Sequence, residues 1–107
     1  DNPGKGASPM EMVLMSVATC SAIDVVSILQ KAKQDVHNVD VEVSAERAET
    51  VPKVFTKIHL NFVVTGNDVA EKHVARAVSL SADKYCSVAK MLEASVNLTH
   101  GFNIIPA

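Results

Sequence analysis

The sequence predicts an α+β domain in which one long apolar helix packs against a sheet, with the element order α-β-β-α-α-β. Two observations carry this reading. Met12 to Leu29, MVLMSVATCSAIDVVSIL, runs for eighteen residues without Lys, Arg, Glu, Gly or Pro, the composition of a helix that is apolar nearly all round. Downstream, apolar residues recur at every second position in separate stretches, the period of β-strands. At 107 residues the chain reads as one domain, 1–107, long enough to bury a core without disulfide or metal staples.

The first helix has a clear start. Ser8 can cap it, Pro9 suits the first helical position, and Glu11 stands where a capping-box carboxylate reaches back. The helix therefore runs from about residue 9 to about residue 32. Turning 100° per residue places Leu14, Met15, Ala18, Ala22, Val25, Val26 and Leu29 away from Cys20, with Val13, Val17, Ile23 and Ile28 flanking the cysteine. Such a helix is either a buried central element or a membrane span. Asp24 and the hydroxyls of Ser16, Thr19, Ser21 and Ser27 favour the soluble core, because an acid near a bilayer centre costs about 3 kcal/mol on insertion scales.

Lys31 to Asn38 is a polar exit. Val39, Val41, Val43 and Ala45 then alternate with Asp40, Glu42, Ser44 and Glu46, a strand with one wet face. Glu49-Thr50-Val51-Pro52 connects it to a second strand, with Ile58, Leu60, Phe62 and Val64 on one face and Lys57, His59 and Asn61 on the other. The two should pair as an antiparallel hairpin. Gly66-Asn67 ends the second strand, and Asp68-Val69-Ala70-Glu71 repeats the capping-box pattern. A helix from about 69 to 83 follows, with Val74, Ala77, Val78 and Ser81 along one stripe. A break near Asp83 to Tyr85 leads to a short helix. Val96, Leu98, Phe102 and Ile104 mark a last strand. The expected sheet is antiparallel.

Composition narrows the function. A net charge of −2, a pI near 6.1 and no basic run give no reason to expect nucleic acid as a partner. The apolar stretch lacks the basic flank and cleavage site of a signal peptide. Two cysteines in different contexts are not a secreted disulfide framework, no CxxC or Cys/His spacing suggests zinc, and no cofactor motif is present. The expected setting is the cytoplasm, with no membrane association and no metal.

Cysteine is the one strongly nucleophilic side chain placed suggestively. Cys20 sits mid-helix, where neither end of the helix dipole helps to ionise it. Cys86 sits near the start of a short helix, just after Lys84 and Tyr85, a setting that modestly favours thiolate. Both also read as small core residues, since free cysteine is among the most buried types. Asp24, one turn beyond Cys20 on the same face, needs a donor if it is buried. His37, His59, His73 and His100 are widely spaced and read as surface or strand-face residues. Glu42, Glu46, Arg47 and Glu49 read as a solvated sheet face.

Gly6-Ala7-Ser8-Pro9-Met10-Glu11, the helix carrying Ala18-Thr19-Cys20-Ser21-Ala22, and Lys84-Tyr85-Cys86-Ser87-Val88 together resemble the OsmC/Ohr family of osmotically inducible and organic-hydroperoxide-resistance proteins. Within it, SAIDVVSILQKAKQDV and SADKYCSVAKMLE are most similar to the uncharacterised YhfA-like branch. The resemblance spans essentially the whole chain and implies an OsmC-like fold, with a long buried central helix in an intertwined homodimer. It also implies a thiol-dependent peroxidase. Cys20 would match the peroxidatic cysteine that attacks a hydroperoxide, and Cys86 the resolving cysteine whose disulfide an external thiol reduces. The family's proline-glutamate pair is Pro9-Met10 here, with Glu11 one position later. The family's activating arginine comes from N-terminal strands that this sequence lacks, and neither Arg47 nor Arg76 aligns with it. That difference predicts an unpaired sheet edge or an open pocket wall.

Two further readings stand beside the peroxidase: a non-catalytic small-molecule-binding homodimer, and a redox sensor whose cysteines switch without turnover. Cys20 and Cys86 should lie close enough to cross-link, either directly or after a small helix movement, with Cys20 the more buried of the two.

Overall fold

The structure, a computed structural model, describes residues 6–107. The order of elements is α1 (Pro9–Lys31), β1 (Asp35–Arg47), β2 (Phe55–Asn67), α2 (Glu71–Leu80), a π-helical turn (Ser81–Tyr85), α3 (Ser87–Leu92) and β3 (Asn97–Pro106). This is the expected α+β plan, with the predicted break realised as a widened helical turn.

The cap of α1 forms as its residues dictate. The Ser8 hydroxyl accepts from the Glu11 N–H at 3.2 Å, and the Glu11 carboxylate accepts from the Ser8 N–H at 2.9 Å. The bond from the Ser8 N–H, which favours the ionised acid, and secondarily the nearby Ser8 hydroxyl hold the Glu11 carboxyl below its ordinary pKa. The second expected capping box does not form. Asp68 takes a left-handed conformation at φ 51°, so α2 starts later. Ala70 is its N-cap without a side-chain bond, and the Ala70 N–H donates instead to Gln34 Oε1 at 2.9 Å.

The three strands form one sheet in the order β1-β2-β3. β1 and β2 pair antiparallel, with Val41 opposite Phe62 and Val43 opposite Leu60. β2 and β3 pair parallel, with Phe62 opposite Phe102 and Val64 opposite Ile104. The sheet is therefore mixed, which corrects the antiparallel expectation for the last strand. The reason is the connection: a parallel pair needs a crossover of a dozen or more residues, usually helical. α2, the π-turn and α3 supply it.

Period-two alternation decides which face is wet. Ile58, Leu60, Phe62 and Val64 point inward and are buried. On the outer face, Asn61 donates to Glu42 and to Asn103, and His59 pairs with Thr99 at 2.7 Å, a polar ladder across all three strands. Gly66 near the end of β2 is required by close approach: a Cβ there would collide with the Asp35 carbonyl and the Val69 side chain.

The helices cover the inner face, and the core joins Ile58, Phe62 and Val64 to Val17, Val25 and Leu29 of α1 and Val74 and Val78 of α2. The stripe predicted for α2, Val74, Ala77, Val78 and Ser81, is buried throughout. α1 behaves differently from the expectation of a largely buried helix. Only Val17, Ser21, Val25 and Leu29 are buried along it, a single i, i+4 row, while Met12, Met15 and Ile23 are 52%, 58% and 64% exposed. One sheet layer and two short helices can cover only one side of a 23-residue helix. By length and composition α1 could also cross a membrane; its inner row instead packs on the sheet of an α+β domain.

Candidate functional site

The inner row of α1 brings Ser21 to the interior, with Cys20 and Asp24 on its flank, one turn apart. Opposite them, the chain from α2 widens into the π-turn. The extra residue in that turn is visible in the bond from the Cys86 N–H to the Ser81 carbonyl at 2.8 Å, spanning five residues. π-turns of this kind recur at functional sites. Here the turn aims both of its ends at α1. The Ser81 hydroxyl donates to Asp24 Oδ2 at 3.1 Å, so the buried hydroxyl is the partner that Asp24 required. Cys86, in extended backbone conformation, becomes the N-cap of α3, and its sulfur accepts from the Ala89 N–H at 3.4 Å.

The result is a cluster of three reactive groups. The sulfurs of Cys20 and Cys86 and a carboxylate oxygen of Asp24 all lie within 4.8 Å of one another. Both cysteines are free thiols. Cys86 is fully buried, whereas Cys20 is only half-buried. This reverses the sequence expectation that Cys20 would be the more buried. Cys20 lies at the border between the inner row of α1 and its open side, while the π-turn and the cap geometry turn Cys86 inward. Burial pushes the Cys86 thiol above its ordinary pKa, and its hydrogen bond with Ser21 pulls in the opposite direction.

Two depressions flank the cluster. On one side, a cavity of about 540 Å³ is lined by Asp24, Ser27, Ile28, Lys31, Arg76, Leu80 and Tyr85. Neither Lys31 nor Arg76 forms a salt bridge among the described residues, so the cavity presents two cations beside the acid. On the other side, Met12, Met15, Ser16, Thr19, Cys20 and Ile23 form a shallow apolar hollow on the open face of α1. Arg47 is elsewhere: its Nε donates to the Lys53 carbonyl at 2.8 Å, and its guanidinium lies over the Phe55 ring.

A family profile described as "OsmC-like protein" matches residues 2–101. The chain belongs to the OsmC-like family. It is 58% identical over 103 residues to protein YhfA of Escherichia coli K12, covering 96% of this chain and 77% of that one. It is also similar to a hypothetical protein from Aquifex aeolicus VF5, whose crystal structure superposes with a TM-score of 0.91 at 37% identity, over 96% of this chain and 77% of that one. The organic hydroperoxide resistance protein OhrB of Bacillus subtilis superposes with a TM-score of 0.65 at 16% identity, over 94% of this chain and 73% of that one, a likeness of fold. The family resemblance read from the cysteine-bearing motifs is thus established.

Sequence reading singled out Cys20, Cys86 and Asp24, and the fold gathers all three. It missed Ser81 as the partner of Asp24, reading it only as a core-stripe residue. It also missed Arg76 and Lys31 as neighbours of the site. The single polar position in the apolar stripe of α2 was the available signal for Ser81. None of the four histidines joins the cluster.

Proposed function

We propose that the chain is a thiol-dependent peroxidase that reduces organic hydroperoxides or hydrogen peroxide, with Cys20 peroxidatic and Cys86 resolving. The observation that carries this is the approach of two free sulfurs, 66 positions apart in sequence, to within 4.8 Å in an OsmC-like fold. The Cys20 thiolate attacks the terminal peroxide oxygen, breaking the O–O bond. Cys20 becomes sulfenic acid, and the alcohol or water leaves with a proton. The Cys86 sulfur then attacks the sulfenic sulfur, closing to a bond of about 2.05 Å and expelling water. An external thiol reductant restores both thiols.

The unequal burial suits these roles. A half-buried Cys20 can meet an incoming peroxide, and a shielded Cys86 waits for the sulfenic acid. Arg76 and Lys31, which line the same cavity as Asp24, are the candidate cations for an activating role. The exposed row Met12, Met15 and Ile23 supports a homodimer packed through α1. The cavity beside Asp24 also favours a second reading, a non-catalytic small-molecule-binding or redox-sensing homodimer.

Dithiol-driven peroxide consumption by the wild type, Cys20→Ser and Cys86→Ser distinguishes them. The peroxidase reading expects Cys20→Ser to lose turnover by at least about a hundredfold. It expects Cys86→Ser to take up one equivalent of peroxide and stop as sulfenic acid. Equal rates in all three proteins would overturn it.

A further inference from the structure

We propose that Cys20, Asp24 and Cys86 form a binding site for a thiophilic divalent cation of the zinc class, and that occupancy by the metal and oxidation of the thiols exclude each other. The three donor atoms, all within 4.8 Å of one another, come from two elements. Cys20 and Asp24 stand one turn apart on α1, and Cys86 reaches them from the cap of α3. A tetrahedral site with metal–sulfur bonds of about 2.3 Å and a metal–oxygen bond of about 2.1 Å needs donors roughly 3.5 to 3.8 Å apart. Closing the cluster onto a metal therefore takes shifts of about 1 Å at most, within the reach of side-chain rotation.

The surroundings supply what a metal site requires beyond its ligands. The Ser81 hydroxyl, itself buried, holds Asp24 Oδ2 at 3.1 Å, the outer hydrogen bond that orients a ligating carboxylate. The Ala89 N–H donates to the Cys86 sulfur at 3.4 Å, a bond compatible with a thiolate bound to metal. Three protein ligands leave a fourth position for water; Asp24 also lines the cavity beside α1, and Cys20 the hollow on its open face. Binding converts two thiols to thiolates and releases two protons. Two thiolates and one carboxylate then carry one charge more than the metal. Lys31 and Arg76 line the cavity that Asp24 also lines, without a salt-bridge partner among the described residues, and are the cations available to offset that residual negative charge.

Metal and peroxide compete because both need the Cys20 lone pair. A bound cation withholds the nucleophile and protects both thiols. Disulfide formation removes two of the three ligands and expels the cation. The proposal shares these thiols with the peroxidase reading but does not depend on turnover.

Cobalt(II) tests it directly on the reduced, untagged protein. The expected result is one cobalt per chain, with thiolate-to-cobalt charge transfer and the strong visible bands of tetrahedral coordination, both lost when zinc is added. Asp24→Asn, which preserves shape and both thiols, should weaken zinc binding by at least about tenfold, and Ser81→Ala by about tenfold through the orienting bond. Cys20→Ser should cut the charge-transfer intensity by at least about half, since one thiolate remains, while His37→Ala, beside Asp35 on β1, should leave binding unchanged. Zinc should slow alkylation of Cys20, a readout that needs no mutant to fold. Cobalt bound without charge transfer, or equal zinc affinity in the wild type and Asp24→Asn, would overturn the proposal. Peroxide consumption measured on metal-free protein reports on the peroxidase reading separately, so either can fail alone.

Discussion

The two sides of α1 share one composition and have opposite fates. On the inner side, Val17, Val25 and Leu29 are fully buried against the sheet, with Ser21 beside them. On the outer side, Met12, Met15 and Ile23 are more than half exposed. Nothing in hydrophobicity separates the two rows; the inner one even contains the serine. What separates them is the position of one mixed sheet and of the α2–π-turn–α3 crossover. Cys20 lies at the border, and that is where reactive chemistry is useful: close enough to the interior to meet Cys86, and close enough to the open face to meet a substrate. An apolar helix face is therefore weak evidence of burial within the same chain.

The largest expected effect contrasts the two rows directly. Leu29→Ala removes a fully buried side chain and should cost about 3 kcal/mol in denaturant unfolding. Met15→Ala, under dilute conditions, should cost less than about 0.5 kcal/mol. A Met15→Ala cost that grows with protein concentration would show that a second copy covers the outer row.

The two thiols sharpen the contrast further. At pH 8, alkylation should reach Cys20 at least about ten times faster than Cys86, because Cys86 is fully buried and its raised pKa withholds thiolate. The same shift has a sign for stability. The fold favours the neutral Cys86 thiol, so its contribution is complete at neutral pH and declines as pH rises above the ordinary 9.0 toward the raised value. Alkaline titration of the melting temperature should show this loss, and Cys86→Ala should lack it.

The smallest effect concerns how α1 begins. Ser8→Ala removes the hydroxyl that accepts from Glu11 and should cost about 1 kcal/mol. Glu11 titrates below its ordinary 4.5 in the folded chain, so its share of the cap is complete above that pH and is lost as pH falls through the lowered value. The stability gap between wild type and Glu11→Gln should therefore narrow in acid. A gap constant down to pH 3 would mean that the ionised carboxylate contributes nothing to the cap.

Local chemistry and periodicity determined much of this protein from the sequence alone. Ser8, Pro9 and Glu11 satisfy the first amide groups of a helix by themselves, so the start of α1 was legible. The alternation through Ile58, Leu60, Phe62 and Val64 reports a face by geometry alone, as does the stripe Val74, Ala77, Val78 and Ser81. The spacing of Cys20 and Asp24 on one helical face needed no tertiary knowledge. The tertiary structure alone decided the rest. The parallel pairing of β3 depends on where a crossover returns the chain. The exposed row of α1 depends on how much surface its neighbours can cover. The inward turn of Cys86 depends on one extra residue in a π-turn, and the Ser81–Asp24 bond joins residues 57 positions apart. The strand pairing, the exposed row and the Ser81–Asp24 bond rest on segments distant in sequence, and local pattern carries no record of what a residue will meet across the core.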